Sequence, residues 1–177
     1  PNPGPDPPPP GDSYEIDDTP QHATEIAPDG ALQYHSIHVG SDVDWVRFTL
    51  DELADVVMTT GGSAGDSRMW LYAAGDLHNF VAFDDDGGSG LFSNITCNGA
   101  DALGAGTYYV KIDEVGNNQS IDFYTIRVQA TPVPTGDAYE EDDSAGQALV
   151  IATDGTPQTH SIHIGTDVDW VAFTPDL

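Results

Sequence analysis

The stretch "DVDWVRFTL", residues 42–50, alternates between two faces once it passes its second aspartate. In an extended chain Val46, Phe48 and Leu50 lie on one side, and Trp45, Arg47 and Thr49 on the other. That period of two is a strand with one face turned to a core. Working outward, "GTYYVKID" (106–113) sets Tyr108, Val110 and Ile112 opposite Thr107, Tyr109 and Lys111, and "DFYTIRVQA" (122–130) sets Tyr124, Ile126 and Val128 opposite Phe123, Thr125 and Arg127. Further strands are expected near 31–39, 53–60, 68–74, 78–84 and 91–97, divided by Gly- and Asp-rich turns. About eight short strands in about 120 residues predict an all-β fold, an antiparallel β-sandwich of jelly-roll-like form. One helical piece is expected, a turn near Thr19–Glu25 capped by Asp17, Asp18 or Thr19.

The same stretch returns as "DVDWVAFT" at 167–174. Sliding the chain by 125 residues aligns 11–49 with 136–174 without a gap, and 24 of the 39 positions are identical. The shared positions include "GD.YE.DD", "Q.HSIH.G" and "DVDWV.FT". The chain therefore reads as a tandem repeat: a proline-rich linker at 1–10, a complete module at 11–130, a proline linker at 131–135, and the first part of a second module at 136–177. A window cut from a longer array is the expectation.

Charge narrows the partners. Four Lys and Arg stand against 30 Asp and Glu, a formal net charge of −26. Phosphate backbones need a basic face, so nucleic acid is excluded as a partner. No apolar run approaches the roughly 20 residues of a membrane-spanning helix, so no membrane insertion is expected. Cys97 is the one cysteine, which rules out an intrachain disulfide and a multi-cysteine zinc site. So many like charges repel one another in a compact state, and bound cations or high salt would offset that.

The segments "YEIDDTPQHATEI", "HSIHVGSDVDWVRFTL", "MWLYAAGD", "AFDDDGGSG" and "LGAGTYYVKI" together resemble the bacterial pre-peptidase C-terminal domain family. The resemblance covers residues 11–130 and the start of the pattern in 136–177. It implies a β-sandwich, an extracellular or cell-surface location and a non-catalytic role, with collagen-binding domains of bacterial collagenases as calcium-binding relatives.

Two acidic segments are the metal candidates. Glu15, Asp17 and Asp18 lie ahead of the sandwich strands, and Asp42 and Asp44, two apart, leave an extended chain on the same side. Calcium takes six to eight oxygens, mostly from carboxylates and carbonyls, which suits these residue types. That the two segments meet around Ca2+ is what the resemblance implies. The second module repeats the set as Glu140, Asp142, Asp143, Asp167 and Asp169. The alternative is solvated turn and cap residues. "FDDDGGSG" (83–90) offers a further candidate at Asp84 and Asp86, with an ordinary Asp-Gly hairpin as the alternative.

Other motifs carry less. "GGSAG" (61–65) matches the G-x-S-x-G spelling, but a strand-to-strand loop lacks the helix that motif needs, so Ser63 is not expected to be a nucleophile. His35 and His38, three apart on a strand, should face opposite ways; His35 packs inward on a backbone partner, His38 faces out, and zinc is not expected. Trp45 and Trp170 read as half-buried rings shielding the acidic cluster, with an exposed aromatic contact for sugar or protein as the alternative. "NIT" at Asn94 and "NQS" at Asn118 spell glycosylation acceptors, which mean little in a bacterial source.

Two functional readings follow, and neither is an enzyme. The first is a calcium-stabilised structural module, repeated along an extracellular filament or surface protein and partnered by neighbouring copies. The second is an accessory module of a secreted hydrolase that binds an extracellular protein or polysaccharide.

Overall fold

The computed structural model describes residues 11–175, so the proline-rich linker expected at 1–10 lies outside the described residues. The chain separates into two compact units between Val133 and Pro134. The first unit runs β1 (Thr24–Glu25), β2 (Gln33–Ile37), β3 (Val43–Leu50), β4 (Ala54–Gly61), β5 (Ser67–Ala73), β6 (Ala82–Asp84), β7 (Asn94–Cys97), β8 (Gly106–Glu114) and β9 (Ile121–Pro132). It is a β-sandwich, with a five-stranded sheet in the order β1-β3-β8-β5-β6 and a four-stranded sheet in the order β2-β9-β4-β7. All pairings in the two sheets are antiparallel except β1 with β3.

The alternation seen in the sequence becomes the core. Val46, Phe48 and Leu50 of β3 are buried, as are Val110 and Ile112 of β8 and Leu71 of β5. From the other sheet Met58, Tyr124, Ile126 and Val128 meet them. Register places Val46 opposite Val110 and Val110 opposite Leu71, so one apolar row crosses three strands. Tyr108, expected in the core, sits at its margin: its ring stacks on Phe48 at 5.5 Å and its hydroxyl donates to the Gly104 carbonyl. The expected helical turn shrinks to a 3-10 turn at Pro20–His22, and no side chain caps it. His22 N–H closes the turn on the Thr19 carbonyl at 2.9 Å, and Thr24 and Glu25 pair with Val46 and Arg47 as β1.

Three constraints aim the leading segment, residues 11–23, at one end of the sandwich. Trp45 N–H donates to the Asp17 carbonyl at 3.1 Å, and Ile26 N–H to the Arg47 carbonyl at 2.9 Å. Asp12 closes an Asx turn onto Tyr14 N–H (2.8 Å), and its second oxygen accepts Ser36 N–H (2.6 Å). On the far side, Gly40 passes so close to the β8–β9 turn that a Cβ would lie 2.6 Å from the Asn118 carbonyl carbon. A side chain there would clash with that turn and displace the loop that leads to Asp42.

Within the second unit, β10 (Leu149–Val150) pairs in parallel with β11 (Val171–Ala172). That register is the β1/β3 register moved by 125 residues. Ile162 and Phe173, which align with the buried Ile37 and Phe48, are 63% and 65% exposed. In the first unit those positions are covered by strands from residues 54–132, which have no counterparts among the described residues of the second.

Phe48→Ala should destabilise the first unit by about 3–5 kcal/mol, because it opens a cavity in a closed core. Phe173→Ala removes the same side chain from an exposed position and should cost under about 1 kcal/mol. Chemical denaturation of the two variants followed by circular dichroism checks the contrast.

Candidate functional site

The end of the sandwich where residues 11–18 meet β2 and the start of β3 gathers six carboxylates, from Asp12, Glu15, Asp17, Asp18, Asp42 and Asp44, with two imidazoles, from His35 and His38. The two acidic segments expected to meet are thus neighbours in space. Asp17 and Asp44 are each 1% exposed and Asp42 is 2% exposed. Asp18 is exposed and faces the cluster from outside, close enough to act on the charge of Asp42 and Glu15.

The donors divide into two histidine groups bridged by carboxylates. On the outer side His38 Nδ1 lies 2.6 Å from Asp42 Oδ2 and 2.7 Å from Glu15 Oε1. One N–H cannot serve both, and Glu15 Oε1 is left buried without a donor. Asp42 is well held, since Oδ2 also accepts His38 N–H and Oδ1 accepts Val43 N–H. On the inner side His35 is 1% exposed, between Tyr14, stacked at 4.4 Å, and Tyr124 at 5.7 Å. Its Nδ1 faces Asp44 Oδ2 at 3.8 Å, Asp12 Oδ2 at 3.9 Å and Asp17 Oδ2 at 4.0 Å. Glu15, Asp17 and Asp44 form a third, all-oxygen group. Tyr124 O–H donates to Asp44 Oδ2 at 2.5 Å, while Asp44 Oδ1 and Asp17 Oδ2 are buried with no donor at all.

Burial and crowding show in the acidities. Burial, with Glu15 and Asp12 adding to it, raises Asp17 to about 8. Burial likewise raises Asp44 to about 9, against the Tyr124 hydrogen bond and with the help of the Asp17 and Asp42 charges. His35 goes the other way: burial lowers it to about 4, although Asp12 pulls it up. For His38 burial opposes the charge, yet the Asp42 and Glu15 carboxylates outweigh it and the pKa rises. The pocket holds far more negative charge than its own residues neutralise.

The second unit repeats the arrangement. His160 Nδ1 faces Asp169 at 3.8 Å and Asp137 and Asp142 at 4.0 Å, and Tyr139 stacks on its ring at 4.7 Å. His163 Nδ1 lies 2.8 Å from Asp167 and 3.1 Å from Glu140. Asp143 Oδ1 accepts Val168 N–H instead of joining these donors.

Sequence reasoning passed over Asp12, His35, His38 and Tyr124. The signal was present for three of them, in the repeated "GD" and "HSIH", but His35 and His38 look separate on an ideal strand. β2 ends at Ile37, so His38 turns with the following loop toward Asp42, and His35 has the Gln33 side chain as its partner rather than a backbone group. Tyr124 has no counterpart in the described second unit to mark it. The other acidic turn is differently built: Asp84 Oδ2 accepts Gly87 and Asn94 N–H, which ties the turn to β7, and Asp86 is exposed. Ser63 is exposed in the loop between β4 and β5, with no helix after it. Trp45, at 8% exposure, is more buried than expected, and its ring packs on Tyr72 across the outer face of the five-stranded sheet.

No protein-family model matches the chain, and no curated protein matches it. Among solved structures, the pre-peptidase C-terminal domain of collagenase from Bacillus anthracis is similar at a TM-score of 0.49 and 16% identity, over 60% of this chain and 94% of that one. The periplasmic inhibitors of g-type lysozyme, PliG, from Aeromonas hydrophila and Salmonella Typhimurium follow at TM-scores of 0.45 and 0.40 and identities of 11% and 16%. Each of these covers 62% of this chain, and 97% and 100% of its own.

Asp17 and Asp44 bind protons more tightly folded than unfolded, so the folded state gains from low pH and loses as pH rises toward about 8 to 9. In a chelating buffer the melting temperature should therefore fall between pH 5 and pH 9. Asp44→Asn should flatten that fall, because it removes one of the two titrating groups. Calorimetry across the pH series is the measurement, and a flat or rising profile for the unsubstituted chain would contradict this account of the pocket.

Proposed function

We propose that the chain is a non-catalytic, calcium-stabilised module of an extracellular filament or surface protein, repeated along the chain with neighbouring copies as its partners. The observation that carries this reading is the recurrence of one carboxylate-lined pocket at a fixed offset of 125 residues, down to the same side-chain contacts. A repeated site at constant spacing suits a structural array, in which each junction must be stiffened alike.

Calcium fits the donors. It is a hard cation that takes carboxylate and carbonyl oxygens. Glu15 Oε1, Asp17 Oδ2 and Asp44 Oδ1 are buried oxygens without donors, with Asp42 beside them and Asp18 at the rim. In the second unit the corresponding residues are Glu140, Asp142, Asp167 and Asp169, with Asp143 turned to the Val168 N–H. The site lies just after a proline-rich stretch in each case, so a bound ion would stiffen the junction between modules. A cation also removes the like-charge penalty of the gathered carboxylates.

The accessory-module reading is favoured by a different observation. On the outer face of the five-stranded sheet Trp70 packs on the exposed Phe83, with the Lys111 ammonium 4.3 Å from the Trp70 ring centre. An aromatic patch of that kind suits a protein or polysaccharide ligand.

Calcium that binds only the folded state stabilises it by RT ln(1 + [L]/Kd), about 2.7 kcal/mol at a hundredfold excess over Kd. Melts in calcium and in chelator should differ by several degrees, and Asp17→Asn with Asp142→Asn should abolish the difference. Coincident melts, with sodium chloride alone stabilising, would make the acids a salt-adapted surface instead. Electron microscopy of native material should show an axial repeat of one module plus its linker, fragmented by chelator. A compact monomer joined to a hydrolase would favour the accessory module.

A further inference from the structure

His35 is the residue that the calcium reading leaves unexplained. Its tautomer follows from a chain of bonds. Gln33 Nε2 donates to the Glu25 carbonyl at 2.8 Å, which turns Gln33 Oε1 toward the imidazole, 3.3 Å from His35 Nε2. An amide oxygen accepts only, so Nε2 carries the hydrogen and Nδ1 carries a lone pair. That lone pair has no hydrogen-bond partner, on a side chain that is 1% exposed, and it points at oxygens of Asp12, Asp17 and Asp44 3.8–4.0 Å away.

Asp12 Oδ2 accepts Ser36 N–H and Asp44 Oδ2 accepts Tyr124 O–H, but Asp17 Oδ2 has no donor, and it and the Nδ1 lone pair repel unless something positive lies between them. A proton on Nδ1 does not answer this, because 3.8 Å is too long for an N–H···O bond. A metal ion does answer it. Ligands about 2.1 Å from one ion stand about 3.4 Å apart at the tetrahedral angle and about 4.2 Å apart when straight across it, and the three nitrogen-to-oxygen separations of 3.8–4.0 Å fall between the two. The amide behind Nε2 is the kind of outer partner that orients a metal-binding imidazole. A neutral imidazole with carboxylates selects the zinc and cobalt class of cation, where calcium prefers oxygen alone. There is charge enough for two ions, since six carboxylates exceed what one divalent cation neutralises.

We infer that the inner pocket binds a divalent transition cation of the zinc class, ligated by His35 Nδ1 with Asp12, Asp17 and Asp44, beside the calcium proposed above. The inference rests on the same pocket as that reading but not on calcium being bound. His160 with Asp137, Asp142 and Asp169 repeats the site, and Gln158 repeats the orienting amide, with Oε1 3.2 Å from His160 Nε2 and Nε2 3.2 Å from the Val150 carbonyl.

Cobalt(II) chloride is the probe, titrated into the 177-residue chain in chelator-stripped buffer and followed by visible absorption, with zinc chloride as competitor. Saturable bands more intense than those of the aqueous ion, bleached by zinc, are expected. The His35→Gln/His160→Gln double variant should weaken cobalt binding at least about 100-fold, and Gln33→Leu/Gln158→Leu, which keeps both imidazoles, should weaken it about 10–100-fold. Both variants should retain the calcium-dependent melt. An aqueous-ion spectrum, or one unchanged by the histidine substitutions, overturns the inference whether or not calcium stabilises. If the histidine variant does not fold, the glutamine variant decides: full cobalt affinity there overturns the inference as well. Cobalt bands without a calcium-dependent melt sink the calcium reading and leave this one standing.

Discussion

Asp44 is a carboxylate placed where a strand residue should meet the core. It stands opposite Ile112 of β8 in the register that buries Val46 against Val110, and it is as buried as they are. Its one donor is the Tyr124 hydroxyl, brought from the other sheet. That bond joins the two sheets at the end where residues 11–18 cross, and it occupies Oδ2 while Oδ1 is left buried without a donor. Much of the pocket depends on it: Asp17 is placed against Asp44 by the Trp45 amide next along β3, and His35 is held between Tyr14 and Tyr124.

The energetic problem this creates is simple. Carboxylate oxygens of Glu15, Asp17 and Asp44 lie within 4.8 Å of one another. Each charged pair at that distance costs about 3–4 kcal/mol at an effective dielectric constant of about 20. Protons relieve part of it, which is why the acidities of Asp17 and Asp44 rise so far. A multivalent cation would relieve more. The rest of the fold carries the opposition: a closed apolar core between two sheets holds these residues together. Cation binding at such a cluster would be coupled to folding, since the carboxylates are gathered only in the folded chain.

The strands were legible because alternation is a local property. Val46, Phe48, Val110, Ile126 and Val128 declare their face through their neighbours in sequence, and the sandwich buries all five. The acidic half of the pocket was legible for a related reason: Asp42 and Asp44 share a side, and the same letters recur 125 residues later. The histidines were not. A straight strand puts His35 and His38 on opposite faces, and only the end of β2 at Ile37 lets His38 return to the cluster. Tyr124, 80 positions from Asp44, leaves no mark in any local pattern.

Sequence alone determined that this chain is β-rich, strongly acidic and internally repeated, and that two short acidic segments belong to each repeat. Those are consequences of composition, spacing and side-chain alternation, which need no partner to be read. Tertiary structure decided which carboxylates lose their water, which imidazole nitrogen carries a lone pair, and which oxygens are left without a donor. Those properties depend on groups far apart in the chain: Glu25 on Gln33 on His35, and Tyr124 on Asp44. Desolvation and hydrogen-bond direction exist only once both sheets and the leading segment are in place, and the chemistry of the pocket is set by them.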